Sequence, residues 1–218
     1  MTTKQSICFG AGFVLVWAAS MALGQDSGSD EKAVQAVRTQ IDFARKKTKT
    51  FKSLNLYGRE LTDASLKELA GLKQLQELDL NTNPITDTGL KELAGLTQLQ
   101  RLDLRNTKVT DAGLKELAGL TQLRSLYLDR TLITDTGLRE LAGFKQLQDL
   151  NLWNTKITDA GLKELANLNQ LQRLGLLDTR ITYVGVKELV NLKQLNYLDL
   201  GGTQISDAGL KPSGLWAI

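Results

Sequence analysis

Apolar positions along most of this chain recur at a fixed step. Leu61, Ile85, Val109, Ile133, Ile157, Ile181 and Ile205 are each 24 residues apart, which marks an internal repeat array. One full unit, residues 85–108, reads ITDTGLKELAGLTQLQRLDLRNTK. Two periodicities alternate inside it. In LQRLDLRNT, Leu102 and Leu104 alternate with Arg101, Asp103 and Arg105, the period-2 pattern of a short strand with one buried face. Earlier in the unit, Thr86-Asp87 offers a helix N-cap, and Leu90 and Leu93 follow at helical spacing. Gly95 then stands where later units carry Asn167 and Asn191. Gly and Asn are the residues that most readily take the left-handed conformation, so the pattern predicts a left-handed helix stop there.

A single unit cannot hold itself together. About seven aliphatic side chains contribute roughly 10–20 kcal/mol if fully buried, whereas ordering the backbone costs about 1–2 kcal/mol per residue. Neighbouring units must complete the burial and the strand hydrogen bonds, so the units are expected to stack.

The spacing LxxLxLxxN, with Asn83 in the asparagine position, resembles the leucine-rich-repeat signature. The ITDxGLxxL run that follows is similar to the subclass found in F-box-type and secreted bacterial leucine-rich-repeat proteins. The resemblance covers residues 51–210. It implies an α/β solenoid, a right-handed horseshoe with a parallel concave sheet and convex helices. The chain departs from the pattern in its ladder position, which is threonine in most units: Thr107, Thr131, Thr155, Thr179 and Thr203. Their hydroxyls are expected to bridge backbone groups between coils. Arg59 does not fit the ladder, as expected of an edge unit.

The flanks read differently. Residues 1–24 combine Lys4, an apolar run from Ile7 to Ala19, and small residues Ala22 and Gly24 before Gln25. This is the layout of a secretory signal peptide, and the run is shorter than the roughly 20 residues a membrane span needs. Residues 25–30 read as a polar linker. Residues 31–50 read as a capping helix started by Ser29 or Asp30, with Val34, Val37, Ile41 and Ala44 on one face. Residues 211–218 form a tail in which Pro212 should break the last helix. Trp216 and Ile218 either cap the open end or belong to a truncated repeat. The chain is therefore expected to be secreted or periplasmic, with cleavage near Gly24 and no membrane span afterwards.

Composition narrows the chemistry. There is no histidine, and the one cysteine, Cys8, lies in the predicted signal segment. A mature chain of this kind offers no His/Cys zinc site, no Ser-His-Asp triad and no Cys-His pair; no cofactor and no metal are expected. The net charge of +3 is too small to point to nucleic acid. Two columns repeat identically and read as structure. The Asp of TDxG (Asp63, Asp87, Asp111, Asp135, Asp159 and Asp207) is expected to cap helices. Gln74, Gln98, Gln122, Gln146, Gln170 and Gln194 are expected to satisfy backbone groups between helix and strand.

Columns that vary carry the information. The outward strand positions bring Tyr127, Trp153, Leu177 and Tyr197 onto adjacent coils, with Arg101, Arg105, Asp129, Arg130 and Arg173 around them. Tyr, Trp and Arg dominate binding hot spots, so these nine residues form the candidate partner-binding face. The partner would be a protein or a cell-envelope component, and the scaffold a non-catalytic monomer. The subclass resemblance implies a second reading, a substrate-recognition adaptor of the ubiquitin-ligase type. A third, a carbohydrate-binding envelope protein, draws on the exposed aromatics and on Asp79 and Asp103. These two occupy one column at about the spacing of a glycosidase pair, though Arg101 and Arg105 would neutralise them.

Overall fold

The computed structural model describes residues 27–47 and 51–205; the predicted signal segment, residues 48–50 and the tail from 206 lie outside the described residues. The repeat produces a seven-stranded parallel sheet in strict sequence order. Its strands are β1 (Ser53–Asn55), β2 (Glu77–Asp79), β3 (Arg101–Asp103), β4 (Ser125–Tyr127), β5 (Asp149–Asn151), β6 (Arg173–Gly175) and β7 (Tyr197–Asp199). Register is set by the period: Leu78 pairs with Leu102, Leu102 with Leu126, Leu126 with Leu150. Each strand is three residues long, and its central leucine points into the core. The core is one continuous cluster from Val37 to Leu195, made of Leu, Ile and Val apart from Phe51 and Phe144.

The returning segment of each coil is helical but short. Asp111–Glu116 and Asp159–Leu165 are α-helices, Asp63–Leu69 is a 3₁₀ helix, and the others pass from α to 3₁₀ within one or two turns. A 24-residue coil leaves no room for a longer helix, and 3₁₀ turns are the usual way to tighten such pieces. Thr86, Thr110, Thr134, Thr158 and Thr182 are the N-caps, each hydroxyl accepting the N–H two residues on at 3.1–3.3 Å.

The aspartate that follows each threonine does something other than cap. Asp63, Asp87, Asp111, Asp135 and Asp159 reach across to the next coil. There each accepts the backbone N–H of the capping threonine at 2.8 Å and its hydroxyl at 2.5–2.6 Å. The glycine of TDxG exists for this contact. A Cβ at Gly89, Gly113, Gly137, Gly161 or Gly185 would overlap the Oδ1 of the preceding coil's aspartate. The first unit has Ser65 at this position, and no earlier coil supplies an aspartate to collide with it. For the same reason Thr62 Oγ1 is buried without a partner.

Three further expectations are corrected. The left-handed residues are not Gly95, Asn167 or Asn191. Apart from Glu60, they fall on one column, Gly58, Thr82, Asn106, Arg130, Asn154, Asp178 and Gly202, just after the strands. The tightest reversal of each coil leaves the sheet, and the helix simply unwinds through a 3₁₀ turn. The ladder threonines do not bridge coils; each hydroxyl donates to the carbonyl three residues earlier in its own coil at 2.6 Å. Coil-to-coil contact there is made by backbone, as Lys108 N–H to Ile85 O and Arg180 N–H to Ile157 O show. Pro84 has no N–H to give, and its unit alone carries the asparagine. Asn83 accepts from the N–H groups of Arg59 and Leu61 and donates to the carbonyls of Leu56, Leu80 and Asn81. The glutamine column is exposed and makes no side-chain hydrogen bond among the described residues.

At the N-terminal end, helix α1 spans Ser27–Lys47, so residues 27–30 are helix and not linker. It lays Ala33, Val37 and Ile41 into the core, with Val34 only partly covered, and packs chiefly on the helical segment Asp63–Leu69. Arg38 and Glu68 pair across this contact at 2.9 Å.

Candidate functional site

The outward strand positions and the loop just after them build the concave surface. Three parallel columns run across it at the strand spacing of about 4.8 Å. In the second column, Asn55, Asp79, Asp103, Asn151 and Asp199 share one local device. Each side-chain oxygen accepts the N–H two residues later at 3.0–3.2 Å. Tyr127 and Gly175 break that series. The surface is distinctive around those two breaks.

Cations stack on rings across neighbouring strands. The Arg101 guanidinium lies 4.4 Å from the centroid of the Tyr127 ring, and Arg105 lies 5.6 Å from it. Arg130 lies 4.4 Å from the Trp153 ring and Arg173 4.8 Å from the Tyr197 ring. Hydrogen bonds fix the same groups. Arg101 donates to the Tyr127 hydroxyl at 2.6 Å, that hydroxyl donates to Asp149 at 3.0 Å, and Trp153 Nε1 donates to Asp178 at 3.0 Å. Burial, followed by the negative charge of Asp149, raises the Tyr127 hydroxyl above its ordinary pKa, so it stays a donor at neutral pH. Arg130 owes its aim to the left-handed column, where its φ is 54°.

Tyr127, Trp153, Leu177, Tyr197 and Arg173 converge on one open hollow of about 220 Å³. Arg101, Arg105 and Arg130 stand beside it through their ring contacts. Asp129 departs from the expected surface. It is 2% exposed, and neither carboxylate oxygen has a hydrogen-bond partner. Its nearest cation, Arg105 at 3.9 Å, is committed to Asp103 through bonds of 2.5–3.0 Å. Burial pushes the Asp129 carboxyl up to about 6, and Arg105 opposes this only in part. Asp129 is therefore a buried group under the face and not a contact residue on it.

The acidic pair is likewise not arranged as two facing catalytic groups. Asp103 is buried and forked onto Arg105, while Asp79 accepts from Asn55 and from the Asn81 backbone. Sequence reasoning passed over Asp149, Asn151, Gly175 and Asp199, which also line the hollow. The break in the Asn/Asp column at Gly175 was the available signal.

Residues 97–142 match a family pattern described as Leucine Rich repeats (2 copies), and residues 73–94, 146–166 and 192–212 match one described as Leucine Rich repeat. A solved structure of an internalin C2 from Listeria monocytogenes is 30% identical. The match covers 84% of this chain and 88% of that one, with a TM-score of 0.60. This chain belongs to the leucine-rich-repeat family. Among the curated proteins nothing matches. An internalin (inlF) from Listeria monocytogenes is 27% identical with a TM-score of 0.54; the match covers 70% of this chain and 48% of that one, about half its length. As in any leucine-rich-repeat protein, the repeated residues belong to the stack. Here the residues that break the repeat lie together on the concave face.

Proposed function

We propose that this leucine-rich-repeat protein is a non-catalytic interaction scaffold that works outside the cytoplasm and holds a partner protein or envelope component on its concave face. The observation that carries this reading is the set of arginine–aromatic pairs on neighbouring strands. Side chains already held by ring stacking and hydrogen bonds lose little freedom when a partner docks, which favours binding. Tyr, Trp and Arg are also the side chains that carry the most energy at interfaces. The rest of the coil has no comparable resource, because its aspartates, capping threonines and glycines are consumed by coil-to-coil contacts and its ladder threonines by bonds within their own coil.

The carboxylates support a binding role over a catalytic one, since Asp103 is neutralised by Arg105 and Asp79 is engaged by neighbouring amides. The extracytoplasmic location rests on the basic, apolar and small-residue order of residues 1–24. No helix among the described residues is long and apolar enough to cross a membrane.

The test is capture from an extracytoplasmic fraction with the full chain, identification of the captured species, and reconstitution with that species purified. Tyr127→Ala with Trp153→Ala should abolish reconstituted binding while the melting temperature stays within a few degrees. Undiminished binding by the double variant would remove the concave face as the site. Recovery of the chain uncleaved from the cytosol would contradict the proposed location.

A further inference from the structure

The hollow on the concave face has a floor made by an absence. In register across β5, β6 and β7 lie Asn151, Gly175 and Asp199. Gly175 carries no side chain, and the Asn151 carboxamide leans into the space above it, so the floor is a shallow slot between this amide and the Asp199 carboxylate. Both neighbours turn their inner oxygen to their own backbone, Asn151 Oδ1 to Trp153 N–H at 3.2 Å and Asp199 Oδ1 to Gly201 N–H at 3.0 Å. Asn151 Nδ2 and Asp199 Oδ2 make no hydrogen bond among the described residues. One is a donor and the other an acceptor. Arg173 and Asp149 repeat the pairing along one wall, 3.7 Å apart, and Trp153 and Leu177 supply the apolar wall.

We infer that this slot binds a neutral sugar ring. The argument is one of complementarity. An anion would face Asp149 and Asp199. An ammonium group would face Arg173 and the Asn151 amide. A purely apolar group would strip water from four polar groups and return no hydrogen bonds, which is costly. A hydroxyl both donates and accepts, so adjacent hydroxyls satisfy the Asn151 amide and the Asp199 carboxylate together. The C–H face of the ring then packs on Trp153 and Leu177. The volume of about 220 Å³ suits a single ring, free or at the end of a longer glycan. The site needs no protein partner, and it can fail while the aromatic–arginine face stands.

The repeat itself supplies the decisive variant. Aspartate is the residue at this position in β2, β3 and β7, so Gly175→Asp restores the common side chain and fills the slot. The new Cβ stands where the Asn151 carboxamide now lies, so Asn151 must give up its bond to Trp153 N–H and move off the slot, and the variant removes the proposed donor as well as filling the space. The full chain is titrated with neutral hexoses, N-acetylhexosamines and their short oligomers, followed by ligand-observed NMR and calorimetry. Glucuronate and a lysine-rich peptide serve as charged controls. At least one neutral sugar should bind the native chain, and Gly175→Asp should weaken it roughly tenfold or more with the chain still folding cooperatively and its melting temperature within a few degrees of the native one. Binding of monomers marks a free sugar as the ligand, and binding of oligomers alone marks a chain end. The inference is overturned by a folded native chain that binds none of the neutral sugars, by sugar binding that survives Gly175→Asp, or by preference for either charged control.

Discussion

The carboxylate of Asp111 accepts both the backbone N–H and the hydroxyl of Thr134, at 2.8 and 2.6 Å, from one coil to the next. The same pair recurs at five successive junctions. It converts a threonine helix cap into a fixed link between coils, and it explains why glycine follows two residues after each aspartate from the second unit on.

Breaking one link should be costly and local. Asp111→Ala removes two hydrogen bonds to a charged acceptor and should destabilise the chain by about 1.5–3 kcal/mol. Gly137→Ala places a methyl group on the same carboxylate oxygen and should cost a similar amount. Because both changes destroy one contact, the double variant should cost clearly less than the sum. Urea unfolding of the three variants measures this directly.

The unit containing Pro84 depends on Asn83 as no other unit depends on its ladder residue. Asn83→Thr installs the residue found in later units, yet it leaves the Arg59 and Leu61 N–H groups without their acceptor, at a cost of about 1–3 kcal/mol. Adding Pro84→Lys supplies the N–H that Lys108 and Lys156 use in their own units. By the same pattern the added N–H donates to the Leu61 carbonyl but offers no acceptor to the Arg59 and Leu61 N–H groups, so the double variant should recover only part of the loss, read as a melting temperature between those of Asn83→Thr and the native chain.

Asp129 should make stability depend on pH in an unusual direction. Its carboxyl is pushed up to about 6 in the folded chain, above the roughly 3.9 of an unfolded aspartate. The folded state therefore holds this proton more tightly. Its contribution favours folding below about pH 4 and is lost as pH rises towards 6. The groups facing it, Arg105 and Asp103, are already paired with each other. Asp129→Asn should raise stability at neutral pH by roughly 1–3 kcal/mol and flatten the slope between pH 4 and 6 in denaturant titrations.

The period alone made the sheet order, the register and the leucine core legible, because each of them depends on every unit doing the same thing. What stayed hidden were relations between coils. An aspartate beside a threonine reads as a cap when one unit is viewed alone, and only stacking shows it reaching the next coil. The left-handed column was missed although Gly58, Asn106, Asn154 and Gly202 favour such a turn, because Thr82 and Arg130 interrupt the series. On the concave face, strand alternation correctly brought Tyr127, Trp153 and Tyr197 to one side. It could not show that Asp129 sinks beside Arg105, or that a hollow gathers around Gly175.

The most direct test of the concave face as the binding surface is hydrogen exchange on the full chain with its purified partner bound. Amides in 125–129, 149–153 and 173–177 should exchange more slowly in the complex, while those of Asp111–Glu116 and Asp159–Leu165 on the helical side stay unchanged. Slowing confined to the helical segments, with the strands unaffected, would contradict the account.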